Sequence, residues 1–340
     1  MDFMQISKKD FQEFVERLLQ KKEEIIGVVK KGKHFSYETL EKSEQLCLDY
    51  TETILPPKKY FLPVEETLLK YKTGVASSYE AVYENVPRTI IGIHPGDMAA
   101  IALLDKAFSE GEKDSHYLMK RANSILVGMY PTQAFPHRFT HSMIEKDAYK
   151  AADCFMVELD QENYGIEVIT EKGKKFASEM KASKSEKGLE EKIAQAKVRI
   201  QDEVSMPFTR EELAKFLRDK ETHVEWKKRS EKCFSCGSCV LVCPTCYCFD
   251  VKDTVELSLK EGERTRVWDG CMLEKFANVA GNHNFRKLAA DRLKHRIFRK
   301  GKYILEKFGM AGCVGCGRCS QACVANIAGP VDIVQELKKQ

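Results

Sequence analysis

The stretch Cys233–Asp250, CFSCGSCVLVCPTCYCFD, puts six cysteines into eighteen residues, and a second cysteine-rich stretch, CVGCGRCSQAC, runs from Cys313 to Cys323. In the first, Cys233, Cys236, Cys239 and Cys243 followed by Pro244 have the spacing C-x2-C-x2-C-x3-C-P. In the second, Cys313, Cys316, Cys319 and Cys323 repeat it, with Val324 in the place of the proline. Of thirteen cysteines, only Cys47 and Cys154 lie before residue 233. A disulfide framework distributes its cysteines through a small secreted chain. Tight clustering toward one end of a 340-residue chain reads instead as metal ligation.

The spacing selects the kind of metal site. An all-cysteine zinc site takes four thiolates, usually as two C-x2-C pairs. Here each half has three closely spaced cysteines plus a fourth, which is the bacterial ferredoxin spacing for [4Fe–4S] clusters. A cubane offers four iron corners, each taking one thiolate. Two-residue gaps let a tight loop reach three corners, and Gly237, Gly315 and Gly317 allow close approach of the backbone. The fourth thiolate points away and, in two-cluster ferredoxins, ligates the other cluster. The expected ligands are Cys233, Cys236, Cys239 and Cys323 for cluster one, and Cys243, Cys313, Cys316 and Cys319 for cluster two.

Three cysteines exceed these eight: Cys246 and Cys248 in PTCYCFD, and Cys271 in VWDGC. They either serve a third cluster or a partner's cofactor, or pack beside the clusters, where a small polarizable thiol fills space and can bond a cluster sulfide. His283, in GNHN, either lies beside a cluster or stabilises a turn. The stretch Arg286–Lys302 is basic; a solvated helix face is the default expectation. Together with Lys232 and Arg318, it also supplies candidates to raise cluster potential by stabilising the reduced, more negative state.

Upstream, Phe11, Phe14, Val15, Leu18 and Leu19 recur at helical spacing, and the first 50 or so residues read as helical. The prolines of Ile54–Pro63 break that pattern, and helix is expected again over Glu65–Tyr71. Thr89–Ile93, Ser124–Tyr130 and Cys154–Leu159 suit buried strands, and Tyr164–Thr170 alternates before a turn at Glu171–Gly173. His94–Asp97 reads as a turn, with Asp97 capping a helix over Met98–Phe108. Cys154 is expected in the core. Strands separated by helices suggest an α/β domain. Ala182–Lys232 shifts toward charge and helix formers, with Thr209–Glu212 at capping-box spacing and two or three helices expected. The expected organisation is a mixed α/β (α+β or α/β) scaffold and docking domain over 1–180, a helical connector over 181–230, and a ferredoxin-like dicluster domain over 231–340. The last carries a long insertion at about 249–310.

Composition excludes little but redirects attention. Fifty-five basic against 51 acidic residues leave +4, which gives no basic footprint for nucleic acid. No charged-then-apolar leader and no apolar run of the ~18 residues that span a bilayer are visible, so a cytoplasmic chain without direct membrane insertion is expected. There is no G-x-G-x-x-G fingerprint, no phosphate-binding G-x-x-x-x-G-K-[ST] loop, no H-E-x-x-H and no paired CCG segment. Clusters without a substrate site favour an electron relay. Two other readings are a catalytic iron–sulfur reductase using Cys246, Cys248 or Cys271, and a binding module with structural clusters.

CFSCGSCVLVCPTCYCFD, WDGC, GNHNFRK and HRIFRKGKYILEKFGMAGCVGCGRCSQAC resemble the iron–sulfur β subunit of cytoplasmic [NiFe] sulfhydrogenases, a group that includes the A subunit of anaerobic sulfite reductase. The likeness spans about residues 225–335 and extends upstream through FLPVEETLLKY, IGIHPGDMAAIALLD and SILVGMY. It implies an electron-transfer subunit with two [4Fe–4S] clusters. The implied neighbours are a flavoprotein subunit, which alone would hold flavin and pyridine nucleotide, and a terminal catalytic or electron-accepting subunit (hydrogenase-, sulfite-reductase- or heterodisulfide-reductase-like). The family commonly carries further cysteines in the turn at His94–Asp97 and after the strand ending near Tyr130. Here Gly96 stands in the turn, and Val127–Met143 has no cysteine. Two clusters are therefore expected, with His94, His137 and His141 as a weaker alternative metal site.

Overall fold

A computed structural model of the chain describes residues 2–74, 76–145, 147–184, 188–199, 202 and 204–339. The first sheet has eight strands in the order β10-β1-β9-β8-β7-β6-β2-β3. They are β1 (Asp2–Ser7), β2 (Glu24–Lys31), β3 (His34–Thr39), β6 (Arg88–Ile93), β7 (Ser124–Met129), β8 (Cys154–Glu158), β9 (Asn163–Val168) and β10 (Ser183–Lys184). The central strands β2, β6, β7 and β8 run parallel, and the outer pairs are antiparallel. The parallel strands are nearly continuous apolar runs because both faces are covered. One face packs on α1 (Lys8–Leu19) through Phe11, Phe14, Val15 and Leu18. The other is covered by α2 (Pro95–Ser109) and α3 (Ser115–Ala122).

Three sequence expectations change here. Helix occupies only Lys8–Leu19 of the first 50 residues, and strands β1, β2 and β3 surround it. Glu65–Lys72 is not helix but strand β4. Glu171–Gly173 is not a free turn; it opens α4 (Glu171–Ser178), capped by Thr170, whose Oγ1 accepts from Gly173 N at 2.9 Å. Cys154 is fully buried in the core, as its apolar surroundings require.

Strand β4 belongs to a second sheet that joins distant parts of the chain. With β5 (Ser78–Ala81) it pairs with the hairpin β11 (Phe249–Val255) and β12 (Glu261–Trp268), in the order β11-β12-β4-β5. That hairpin lies between the two cysteine motifs. Inside the seam, buried Arg266 bonds Glu66 at 2.5 Å and Asp114, and Glu66 also pairs with buried Lys120. Trp268 Nε1 donates to Leu62 O at 2.8 Å.

Between the sheets and the cysteine region run α5 (Leu189–Lys197), α6 (Arg210–Leu217) and α7 (Glu225–Ser230). The capping box at α6 is present: Thr209 and Glu212 bond each other's backbone N–H groups. The cysteine region itself contains α8 (Ser238–Leu241), α9 (Ala289–Phe298), a π-helical turn at Arg299–Tyr303, α10 (Ile304–Phe308), α11 (Arg318–Ala322) and α12 (Pro330–Lys338). Asn278–Val279 and His283–Asn284 form a minimal ladder between them. Among the described residues no helix is long and apolar enough to cross a membrane.

One contact joins the cysteine region to the first sheet more firmly than any other described. Arg318, 2% exposed, grips Asp97 through Nη1 and Nη2 at 2.6 Å each, donates to Thr53 O through Nε at 2.8 Å, and reaches Glu52 at 2.5 Å. Asp97 therefore does not cap α2. His94 holds that position, and Asp97 turns inward to Arg318. Removing one member of a buried pair leaves the others charged and unpaired, a loss of about 3–5 kcal/mol. Arg318→Ala is expected to lower the urea midpoint by that equivalent under anaerobic conditions, with Arg318→Lys intermediate. Unchanged midpoints in both variants would show that this contact does not hold the two parts together.

Candidate functional site

The two cysteine loops have the same backbone twist. Ser235 and Gly315, at equivalent places, have φ of 54° and 66°, and Gly237 and Gly317 have 75° and 80°. Left-handed residues turn successive N–H groups toward one side. Ser235 N donates to Cys233 Sγ at 3.4 Å, and Ile327 N to Cys323 Sγ at 3.4 Å. A Cβ on Gly315 would lie 2.5 Å from Phe139 O, and one on Gly317 2.6 Å from His137 O. The second loop is thus pressed against the segment after β7, where only glycine fits.

Each loop closes a cavity with a cysteine from the other. One cavity is lined by Cys233, Cys236, Cys239 and Cys323, with Met272, Leu293 and Ile327 among its apolar walls. The other is lined by Cys243, Cys313, Cys316 and Cys319, with Phe139, Ile297 and Val314. The short helices α8 and α11 pack together between them. Cys239 and Cys243, one turn apart, therefore line different cavities, as do Cys319 and Cys323. The donor set fits [4Fe–4S] clusters: four thiols per cavity, apolar walls, and N–H groups aimed at sulfur. Burial is the main cause that pushes the Cys239 and Cys313 thiols up to about 12. Thiolate ligands there need a cation to displace the proton, which iron does.

Buried cations surround these thiols, and here the expectation of a solvated basic helix is corrected. Arg292, Arg296 and Lys300 recur every fourth residue from α9 into the π-helical turn, and all three are buried. Arg292 donates to Ser235 Oγ at 2.7 Å and to Arg286 O and Lys287 O. Arg296 donates to Ala328 O at 2.9 Å, and its charge acts on Cys239, Cys319 and Cys243, so it serves both cavities. Lys300 donates to Thr245 Oγ1 at 2.6 Å, and Thr245 in turn to Gly312 O. A fourth cation comes from far upstream. Lys58 lies over the Trp268 ring and donates to Cys243 O at 2.8 Å and Cys246 O at 2.6 Å. Nothing in the local sequence of Lys58 marks it, since its partners come almost two hundred residues later.

The surplus cysteines lie close by. Cys246 N donates to Cys243 O at 3.3 Å. Cys271 is buried beside Met272, with Cys248, Arg296 and Lys300 among the charges that reach it. His283 is exposed and edge-on to Phe285 at 4.8 Å. Arg318, a sequence candidate for tuning potential, is neutralised by Asp97 and Glu52, and Lys232 is exposed. Among the described residues no three His, Cys, Asp or Glu converge on a single metal ion. His94 stacks flat on Tyr50 at 4.0 Å, and burial holds its pKa well below the usual range. His141 Nδ1 lies 2.9 Å from Asp202, and His137 is exposed. The three histidines do not form the alternative metal site.

Comparison with known proteins gives two findings. A family model described as a 4Fe-4S dicluster domain matches residues 232–327. The β subunit of sulfhydrogenase 2 from Pyrococcus furiosus is 31% identical over 348 aligned residues, covering 100% of this chain and 99% of that one. No solved structure matches the chain.

A buried positive charge stabilises the more negative, reduced state of a cluster, so its loss lowers the potential. Arg296→Gln is expected to move at least one midpoint by roughly 50–100 mV to the negative, with Arg296→Lys in between. EPR-monitored redox titration at constant iron content is the check. A null shift would remove Arg296 from the residues that set potential.

Proposed function

Because this chain belongs to the family of sulfhydrogenase β subunits and carries two [4Fe–4S] clusters in its dicluster domain, we propose that it relays single electrons within a multi-subunit oxidoreductase complex. A general redox role in such a complex follows from the family itself. The finer reading places the chain between a flavin- and pyridine-nucleotide-binding subunit and a terminal catalytic subunit. It assigns Cys233, Cys236, Cys239 and Cys323 to cluster one, and Cys243, Cys313, Cys316 and Cys319 to cluster two. The observation that carries it is the pair of adjoining four-cysteine cavities, each borrowing one cysteine from the other motif.

Bound clusters supply one-electron exchange without proton transfer. The chain contributes placement and environment. Cys239 and Cys319, each one helical turn from a cysteine of the other cavity, keep the two sites adjacent. Arg296, Lys300 and Lys58 offset the charge of thiolates and clusters in a region from which the apolar walls exclude water. The first cavity lies nearer the surface: Cys236 is exposed, and Phe234 and Val324 on its rim are 74% and 82% exposed. The second is enclosed by the segment after β7 and by the Arg318 contact. Electrons would therefore be exchanged with a partner at the rim of cluster one.

A catalytic role for Cys246, Cys248 or Cys271 is the second reading, supported by their placement beside the cavities. Anaerobic purification followed by iron, sulfide and EPR analysis separates the two. The relay predicts about eight iron and eight sulfide per chain, spin-coupled signals after dithionite reduction, and no turnover by the chain alone. Reduction of a substrate without partners would favour the second, and about twelve of each would mean that the surplus cysteines or an N-terminal site hold a third cluster. Zinc with little iron would overturn both.

A further inference from the structure

A mostly apolar cavity lies beside the cluster loops. A cavity of about 440 Å³ opens at the carboxyl ends of the parallel strands β6 and β7. Its floor is the first turn of α2 and Cys316, and its walls come from Tyr130, Tyr149, Ile144 and the end of α5. Volumes of 300–1,000 Å³ with mostly apolar walls and a few convergent polar groups characterise small-molecule sites. The carboxyl ends of parallel strands are where α/β sheets bind ligands.

The polar groups at its inner wall are incomplete. Arg138, 4% exposed, donates through Nε to Asp202 at 2.9 Å and through Nη2 to Gln133 O at 3.0 Å, but Nη1 is buried and has no partner among the described residues. His94, also 4% exposed, has no partner among the described residues for either ring nitrogen. A buried donor left unsatisfied costs about 1–3 kcal/mol, and more when charged. Two such side chains lining one cavity ask for a shared partner. The amides of Gly96 and Asp97 lie in the first turn of α2, a helix of fifteen residues, where N–H groups precede the intrahelical ladder.

The charges around the space narrow the choice. Asp202 pairs with Arg138 and is shared with His141 through both Nδ1 and backbone N, and the charge of Arg138 also reaches Glu52, which lines the same cavity. Lys197 pairs with Glu167 and lies over the Tyr130 and Tyr149 rings. Glu145 pairs with Arg210, Asp147 with Lys150, and Arg318 answers Asp97 and Glu52. The inner wall therefore offers donors, and the outer walls offer aromatic and aliphatic surface. Cys316 is the only cysteine that lines the space, and the second cavity already uses it.

We propose that this cavity binds a small organic oxyanion, a flat apolar body ending in a carboxylate or similar group, with its oxygens on Arg138 Nη1 and the His94 ring and its body against Tyr130 and Tyr149. Bound there, the ligand touches the wall formed by Cys316 and so adjoins cluster two. The site goes beyond the relay reading and does not depend on it, because its residues belong to the α/β sheet and its loops.

The test uses the full chain, purified anaerobically, with 2-naphthoate as probe and neutral 2-naphthamide as control. Calorimetry is expected to show saturable binding of 2-naphthoate, at least about tenfold tighter than 2-naphthamide. Arg138→Gln is expected to weaken 2-naphthoate about tenfold or more at unchanged iron content. Should loss of the Asp202 contact unfold that variant, His94→Phe keeps the ring stack on Tyr50 and removes only the nitrogens; it is expected to weaken binding as well. Saturation should also perturb the EPR signal of one cluster. No binding of either probe, equal binding of both, or full affinity in the folded variants would overturn the proposal and leave ordered water as the occupant.

Discussion

Arg318 is the constraint around which the molecule is organised. It is the first residue of α11 and sits between Cys316 and Cys319, so any movement of its guanidinium moves two of the four thiols of one cavity. Asp97, Glu52 and Thr53 fix that guanidinium from three directions. A planar fork matched to a carboxylate holds geometry better than a flexible ammonium would. The α/β sheet thereby determines the position of the second cysteine loop. The pressure of Gly315 and Gly317 against the segment after β7 has the same effect.

The interior of the cysteine region inverts the usual placement of charge. Arginine and lysine side chains are ordinarily buried only when paired. Here Arg292, Arg296 and Lys300 are buried along one stripe, and their hydrogen-bond partners are carbonyls and hydroxyls rather than carboxylates. That arrangement is stable when the space they face carries negative charge, as thiolate-ligated clusters do. The protein and its cofactors are therefore complementary in charge as well as in shape.

What could be read from the sequence was local. The cysteine spacing is set by one loop wrapping one cluster, and it reads directly. Helix α1, strands β6, β7 and β8 and the capping box at Thr209 also follow from patterns a few residues long. EETLLKYK is short and ambiguous in period, so the local pattern suits helix as well as strand; its partner β12 lies far downstream, and tertiary pairing makes it strand β4. Asp97 looked like a cap because the distant Arg318 could not be placed. The fourfold spacing of Arg292, Arg296 and Lys300 marks a face, but which way that face points depends on what fills the cavities. Lys58 and Arg138 carry no sequence signal at all, and nothing local to His94 shows that it would be buried against Tyr50.

The seam between β4 and β12 has a consequence for how the chain is made. Strand β4 waits for roughly 190 residues before its partner is synthesised. Contacts between such distant segments carry a high loop-closure cost and form late. The edge of β4 that pairs with β12, with Glu66 still lacking Arg266, stays open until the insertion between the two cysteine motifs has emerged. The first cysteine motif precedes that hairpin and the second follows it, so closing the seam brings the two motifs into register. Assembly of the metal centres and completion of the small sheet thus become a single late event in folding.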